Sequence, residues 1–109
     1  MVHSLDFNTL KKQYMTVKLA DEKKTVLLLT PPTKGIFDEF IALKNIMESD
    51  ENDQSLDEMY SVCAKILSQN KGGIKVTKDK IAKLLDFEDI LVFIQAYTEY
   101  IESVTNSKN

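Results

Sequence analysis

Several residue types that carry chemistry in proteins are scarce or missing in this sequence. All 14 basic residues are lysine, arginine and tryptophan are absent, and Cys63 and His3 are each the only residue of their type. A single cysteine excludes a disulfide or a Cys-x-x-Cys pair within these 109 residues. Arginine supplies the forked contacts that dominate phosphate and guanine recognition. Its absence, with a net charge of −3, disfavours nucleic-acid binding.

Long apolar runs are also missing. No stretch reaches the roughly 18 apolar residues of a membrane span, and residues 1–10 lack the apolar core of a secretory signal. We therefore expect a soluble, cytoplasmic protein without membrane contact, and a single cysteine suits that reducing compartment. The composition, 43% hydrophobic and 28% charged, is typical of a globular chain, and the length predicts a single domain over residues 1–109.

Few side chains could serve in catalysis. His3 lies in the N-terminal segment, and Cys63 falls on an apolar helical stripe that favours a buried side chain over a reactive thiolate. The acidic run 48–53 begins like a calcium-binding loop, but the glycine and the closing glutamate of such a loop are missing. Phosphate-binding glycine motifs are absent as well. We expect no enzymatic activity, no cofactor and no metal site.

Residues 15–29 have the pattern of a β-hairpin. Apolar and polar residues alternate over residues 15–19, and an apolar run over residues 25–29 follows a polar connection. Because the connection lacks glycine, we expect a loop of several residues rather than a two-residue turn. The strand face predicted to pack against helices consists of Val17, Leu19, Val26 and Leu28.

Apolar residues at spacings of three and four predict about four helices after the hairpin. Pro31 and Pro32 end the second strand because proline has no backbone N–H, and the segment Asn70-Lys71-Gly72-Gly73 is expected to end the second helix. A capping residue precedes each predicted helix: Thr33, Ser55, Thr77 and Asp86. The predicted helices cover about residues 34–49, 56–69, 78–85 and 87–104. The fold class is therefore α+β, mostly α.

The last predicted helix has more apolar residues than one narrow stripe requires. One side, which carries Phe87, Ile90, Ile94 and Ile101, could supply the core by itself. Aromatic residues on another side recur at spacings of four and three; burial is the simpler interpretation, and a protein-binding or self-association face is the alternative. The candidate protein-binding residues are Phe93, Tyr97, Tyr100 and Val104.

One group of lysines is the only concentration of positive charge. The group lacks both arginine and interleaved aromatic residues, so a solvated surface is favoured over a nucleic-acid site. A nucleic-acid-binding regulator remains an alternative function. The group consists of Lys71, Lys75, Lys78, Lys80 and Lys83.

Several short segments, taken in order, resemble a known family. They are Leu5-Asp6-Phe7, Thr16-Val17-Lys18-Leu19-Ala20-Asp21, Leu29-Thr30-Pro31-Pro32-Thr33-Lys34, Leu85-Asp86-Phe87-Glu88-Asp89-Ile90 and Phe93-Ile94-Gln95-Ala96-Tyr97. Together they resemble the tail assembly chaperones of long-tailed, siphovirus-type phages and prophages of low-GC Gram-positive bacteria. The hairpin turn departs from the family, which often has Pro-Asp-Gly where this chain has Ala20-Asp21-Glu22.

The resemblance implies a non-catalytic assembly factor. Such a chaperone coats the tape measure protein, helps to recruit tail tube subunits, and leaves before the tail is complete. It acts in the cytoplasm of the bacterial host and is not expected in the finished virion. Homo-oligomers are a separate expectation, which follows from the broad apolar surface of residues 87–104. A small helical adaptor of unrelated origin is the alternative to this function.

Overall fold

A hairpin followed by four helices makes up the computed structural model, which describes residues 4–7, 11–48 and 53–106. The α+β, mostly α class is confirmed. The second helix begins before the predicted cap, so Ser55 lies inside it and is not its N-cap. The elements are β1 (Met15–Lys18), β2 (Val26–Leu29), α1 (Lys34–Glu48), α2 (Asp53–Leu67), α3 (Lys78–Leu84) and α4 (Phe87–Asn106).

The register of the hairpin decides which face of β2 is buried. Val17 lies opposite Leu27 in the antiparallel pair, and directly opposed residues share a face. Leu27 is therefore buried, whereas Val26 and Leu28 are 50% and 38% exposed. The predicted packed face was right for Leu19 and wrong for Val26 and Leu28. The run from Val26 to Leu29 is apolar at every position, so alternation could not indicate its inner side.

The hairpin loop is closed by a side chain rather than by glycine. The Asp21 carboxylate accepts hydrogen bonds from the Thr25 hydroxyl at 2.6 Å and from its backbone N–H at 2.8 Å. These bonds lower the pKa of Asp21. Lys24 takes a left-handed conformation with φ of 53°. The connection is thus several residues long, as predicted.

The segment after α2 turns back onto β2. The Lys71 N–H donates to the Leu28 carbonyl at 2.9 Å, and the Asn70 side chain closes the turn by donating to the Leu67 carbonyl at 2.8 Å. Gly73, with φ of 70°, lies in this later turn. The helix ends at Leu67, earlier than the predicted 69, and of the segment 70–73 it is Asn70 rather than a glycine that bonds its last carbonyl.

The predicted caps of the last two helices are confirmed. The Thr77 hydroxyl accepts from the Lys80 N–H at 3.1 Å at the start of α3. At the start of α4, the Asp89 N–H donates to the Asp86 carboxylate and the Asp86 N–H donates to the Asp89 carboxylate, both at 2.9 Å. Each pair satisfies backbone donors that a helix start leaves without partners.

The hydrophobic core is centred on α2, which packs against α1, α3, α4 and β2. Cys63 on α2 is fully buried, as its apolar stripe predicts, and burial raises the pKa of its thiol to about 12. Within the described ranges, no helix combines the length and the apolar character needed to cross a membrane. The most completely buried large side chains are Tyr97, Phe40, Leu27, Leu29, Leu43, Ile66, Leu67, Ile81 and Ile90.

Candidate protein-binding groove

The aromatic residues of α4 lie inside the fold. Tyr97 is 1% exposed; its ring meets the Phe40 ring of α1 edge-to-face with centroids 5.0 Å apart and stacks on Phe93 at 5.7 Å. Phe93 and Tyr100 are also buried. These rings therefore offer no free face to a partner, and we remove Phe93, Tyr97 and Tyr100 from the candidate binding surface. The physical reason is that Phe40 of α1 packs on Tyr97, Phe93 stacks on the same ring, and Tyr100 lies against the carbonyls of Gln13 and Leu29.

The hydroxyl of Tyr100 is bonded within the protein. It donates to the Gln13 carbonyl at 2.5 Å and lies 3.3 Å from the Leu29 carbonyl. Burial raises the pKa of Tyr100 to about 12. A tyrosine at an interface keeps its hydroxyl wet, and Tyr100 does not.

The other apolar side of α4 does not form a separate core. Ile90 and Ile94 are buried together with the aromatic residues, whereas Phe87 is 50% exposed. The two predicted stripes thus merge into one broad buried face. The first two turns of α4 instead leave apolar side chains at the surface, among them Leu91 and Val92.

Val104, the fourth candidate residue, lies in a different environment. It lines a cavity of about 340 Å³ between the start of α1 and the end of α4. Pro31 and Pro32 end β2 and place the first turn of α1 beside the last turns of α4. The residues that line this groove are Pro31, Pro32, Thr33, Lys34, Phe37, Ile101, Val104 and Thr105.

The groove is apolar and open to solvent. Phe37 presents a ring that is 37% exposed, and Ile101 and Val104 are partly buried against the core. A concave apolar surface with a large exposed ring can accept apolar side chains of a partner. Beside its apolar side chains, the groove is lined by Thr33, Lys34 and Thr105.

A second cavity adjoins the groove and shares Pro31, Pro32, Thr33 and Val104 with it. Its other lining residues, Lys11, Lys12 and Gln13, belong to the segment before β1. The Gln13 side-chain amide donates to the Ser103 hydroxyl of α4 at 2.7 Å, which holds this segment against the helix.

The lysine group of residues 71–83 is partly neutralised. Lys78 forms an ion pair with Asp57, and the Lys80 ammonium lies 3.8 Å from an Asp21 carboxylate oxygen. The Lys71 ammonium lies 5.3 Å from the centroid of the Tyr14 ring. Three of the five lysines in this group thus contact acidic or aromatic side chains of the protein itself.

The described residues contain no cluster of potential metal ligands. Among residues 4–7, 11–48 and 53–106, no three His, Cys, Asp or Glu side chains come together as metal ligands would. His3 and residues 49–52 of the acidic run lie outside these ranges.

Val104, a candidate binding residue from the sequence, lines the groove. The sequence predicts Ile101 on the core side of the last helix and the two prolines only as the end of a strand, and Phe37 is not among the candidate binding residues. The double proline directly before the apolar first turn of α1 was the sequence signal for an exposed apolar surface at this position.

No family model, curated protein or solved structure compared with this chain matches it.

Proposed function

We propose that this protein is a non-catalytic tail assembly chaperone that binds helical segments of a phage tape measure protein in the groove between α1 and α4. The observation that supports this proposal is the open apolar groove formed by Phe37, Ile101 and Val104 beside Pro31 and Pro32. An amphipathic helix can insert side chains of its apolar face into such a groove.

The size of the groove favours weak binding at each site. Its volume, about 340 Å³, is near the lower end of the roughly 300–1,000 Å³ that ligand pockets span, so it holds a few side chains rather than a whole helix. A long tape measure chain offers many such segments, and many bound copies offset low affinity per site. Coating by many copies would cover the apolar stripes of the tape measure before assembly.

The remaining steps of the proposal rest on the family resemblance. The coated tape measure then recruits tail tube subunits in the cytoplasm of the bacterial host, and the chaperone leaves before the virion is complete. Contacts between neighbouring copies on one tape measure would make the bound form a homo-oligomer. No step requires a cofactor, a membrane or a nucleic acid.

Co-expression with the long helical protein encoded just downstream tests this proposal. We expect the wild-type chain to keep that protein soluble and to purify with it. Phe37→Gln should reduce the recovered complex strongly because it replaces the exposed ring with a polar side chain, and Phe37→Leu should restore most of it. Folding of each variant is checked by circular dichroism and denaturant unfolding.

Val92→Gln is the matched control. Val92 is 67% exposed on α4, which also forms one wall of the groove, but Val92 itself does not line it, so its substitution should leave the complex intact. Absence of any complex with the wild-type chain would overturn the proposed function. Loss of complex in Val92→Gln with retention in Phe37→Gln would move the binding site to the start of α4.

A further inference from the structure

We propose that the groove selects an acidic partner: an amphipathic helix whose apolar stripe is flanked by Asp or Glu side chains. This inference rests on the proposed function for the position of the site and adds the chemistry of the segment that binds there. It follows from the charges around the groove.

The ionisable side chains that line the groove and the adjoining cavity are all lysine. They are Lys11, Lys12 and Lys34, and no described Asp or Glu lines either cavity. The protein as a whole carries 17 acidic and 14 basic residues and a net charge of −3. The rim of the groove therefore has the opposite sign to the net charge of the chain.

The three lysines do not contribute equally. Lys34 is bonded to Asp38 at 2.7 Å one helical turn later, so much of its charge is compensated. Lys11 and Lys12 are exposed and form no ion pair in the part of the chain that the structure describes. The positive charge available to a partner comes mainly from these two residues.

Lys11 and Lys12 are held near the groove by the residue that follows them. Gln13 donates its side-chain amide to Ser103, and its carbonyl accepts from the Tyr100 hydroxyl at 2.5 Å. Both contacts anchor the segment to α4, whose later residues Ile101 and Val104 form the apolar wall. An apolar stripe seated on that wall would place its flanking side chains beside the two lysines.

Two synthetic peptides of about 20 residues, each roughly 30 Å long as a helix, test the inference. Both carry the same Leu and Ile stripe at helical spacing; one has Glu and the other has Lys at the flanking positions. Fluorescence anisotropy measures the affinity of each labelled peptide for the full chain. Each exposed ion pair contributes a factor of roughly 1.5 to 5, so we expect the Glu peptide to bind roughly tenfold more tightly.

The preference should depend on salt and on the two lysines. It should shrink near 1 M salt, where the screening length is about 3 Å. Lys11→Glu combined with Lys12→Glu should reverse it. Lys23→Glu combined with Lys75→Glu makes the same change in net charge at exposed lysines that line neither cavity, and it should leave a clear preference for the Glu peptide.

Equal affinities for the two peptides, no binding of either, or an unchanged preference in the Lys11→Glu, Lys12→Glu variant would overturn the inference. Its failure is distinguishable from failure of the proposed function. Co-purification of the tape measure protein with no charge preference among peptides would leave the chaperone function standing and remove the acidic partner. A preference for the Glu peptide without co-purification of the tape measure protein would support an acidic partner and overturn the tape measure protein as that partner.

Discussion

The middle of α4 and its last turns differ in what covers them. In the middle of the helix, the Phe40 ring of α1 packs on Tyr97 and the Lys44 ammonium of α1 donates to the Thr98 hydroxyl at 3.1 Å. The last turns of the same helix lie beside the start of α1 and the two prolines, where the contact opens into a groove. Apolar residues continue through both parts of the helix, but only those in the middle are covered by the rest of the protein.

The buried part of α4 contributes to stability, whereas the open part is the proposed binding surface. Tyr97 joins the middle part to α1 through Phe40, and the aromatic residues of this part are too buried to meet a partner. The aliphatic residues Ile101 and Val104, with Phe37, remain partly accessible. Residue type alone favours the middle of the helix as a binding face, because aromatic residues are enriched at interfaces, but the structure buries these rings.

The largest effect on stability is expected from Tyr97→Ala. The substitution empties a fully buried site and removes contacts with both Phe40 and Phe93, so the free energy of unfolding should fall by about 3–5 kcal/mol. Urea unfolding followed by circular dichroism measures this change. A loss below about 1 kcal/mol would show that the middle of α4 is not closed as described.

Alkaline pH should destabilise the same region. Burial raises the pKa of Tyr100 from 10.0 to about 12 and that of Cys63 from 9.0 to about 12, so the folded state favours both neutral forms. The stabilisation is complete below pH 9, and the free energy of unfolding should fall as the pH rises toward about 12. Urea unfolding at a series of pH values measures this fall. A flat profile between pH 9 and 12 would contradict the burial of these groups.

Tyr100→Phe should have a smaller effect. The ring is kept, but the hydrogen bond to the Gln13 carbonyl and the contact with the Leu29 carbonyl are lost, at a cost of about 1–2 kcal/mol. Part of the alkaline loss should disappear in this variant. Denaturant unfolding at neutral and alkaline pH measures both effects, and an unchanged neutral stability would argue that the Tyr100 hydroxyl is solvated.

The smallest effect on stability is expected in the groove. Phe37→Gln changes a ring that is 37% exposed, and the free energy of unfolding should change by less than about 1 kcal/mol. Binding to the tape measure protein should nevertheless fall. Parallel measurements of unfolding and complex recovery check this pair of results. A large loss of stability would mean that the groove belongs to the core.

Local features of this fold could be read from the sequence because their determinants are local. Thr77 and Asp86 cap helices through residues three positions away, and the lack of glycine in the hairpin connection indicated a loop of several residues. Pro31 marks the end of β2 because it lacks an N–H donor. Cys63 is buried as its stripe predicts.

Features set by tertiary contacts could not be read in the same way. The buried side of β2 depends on its register with β1, because every residue from Val26 to Leu29 is apolar. The burial of Tyr97 depends on where α1 crosses α4. Phe37 and Ile101 line the same groove although they are far apart in the chain. Nothing in the sequence around either residue indicates that the two lie close together.

The most direct test of the central claim is a titration of the chain, with isotope-labelled isoleucine and valine methyl groups, by a tape measure fragment observed by nuclear magnetic resonance. The account predicts that the signals of Ile101 and Val104 shift first and furthest. Ile90 and Ile94, buried on the same helix, should change little. Shifts concentrated at Val92, or at Ile90 and Ile94 without Ile101, would contradict the groove as the binding site.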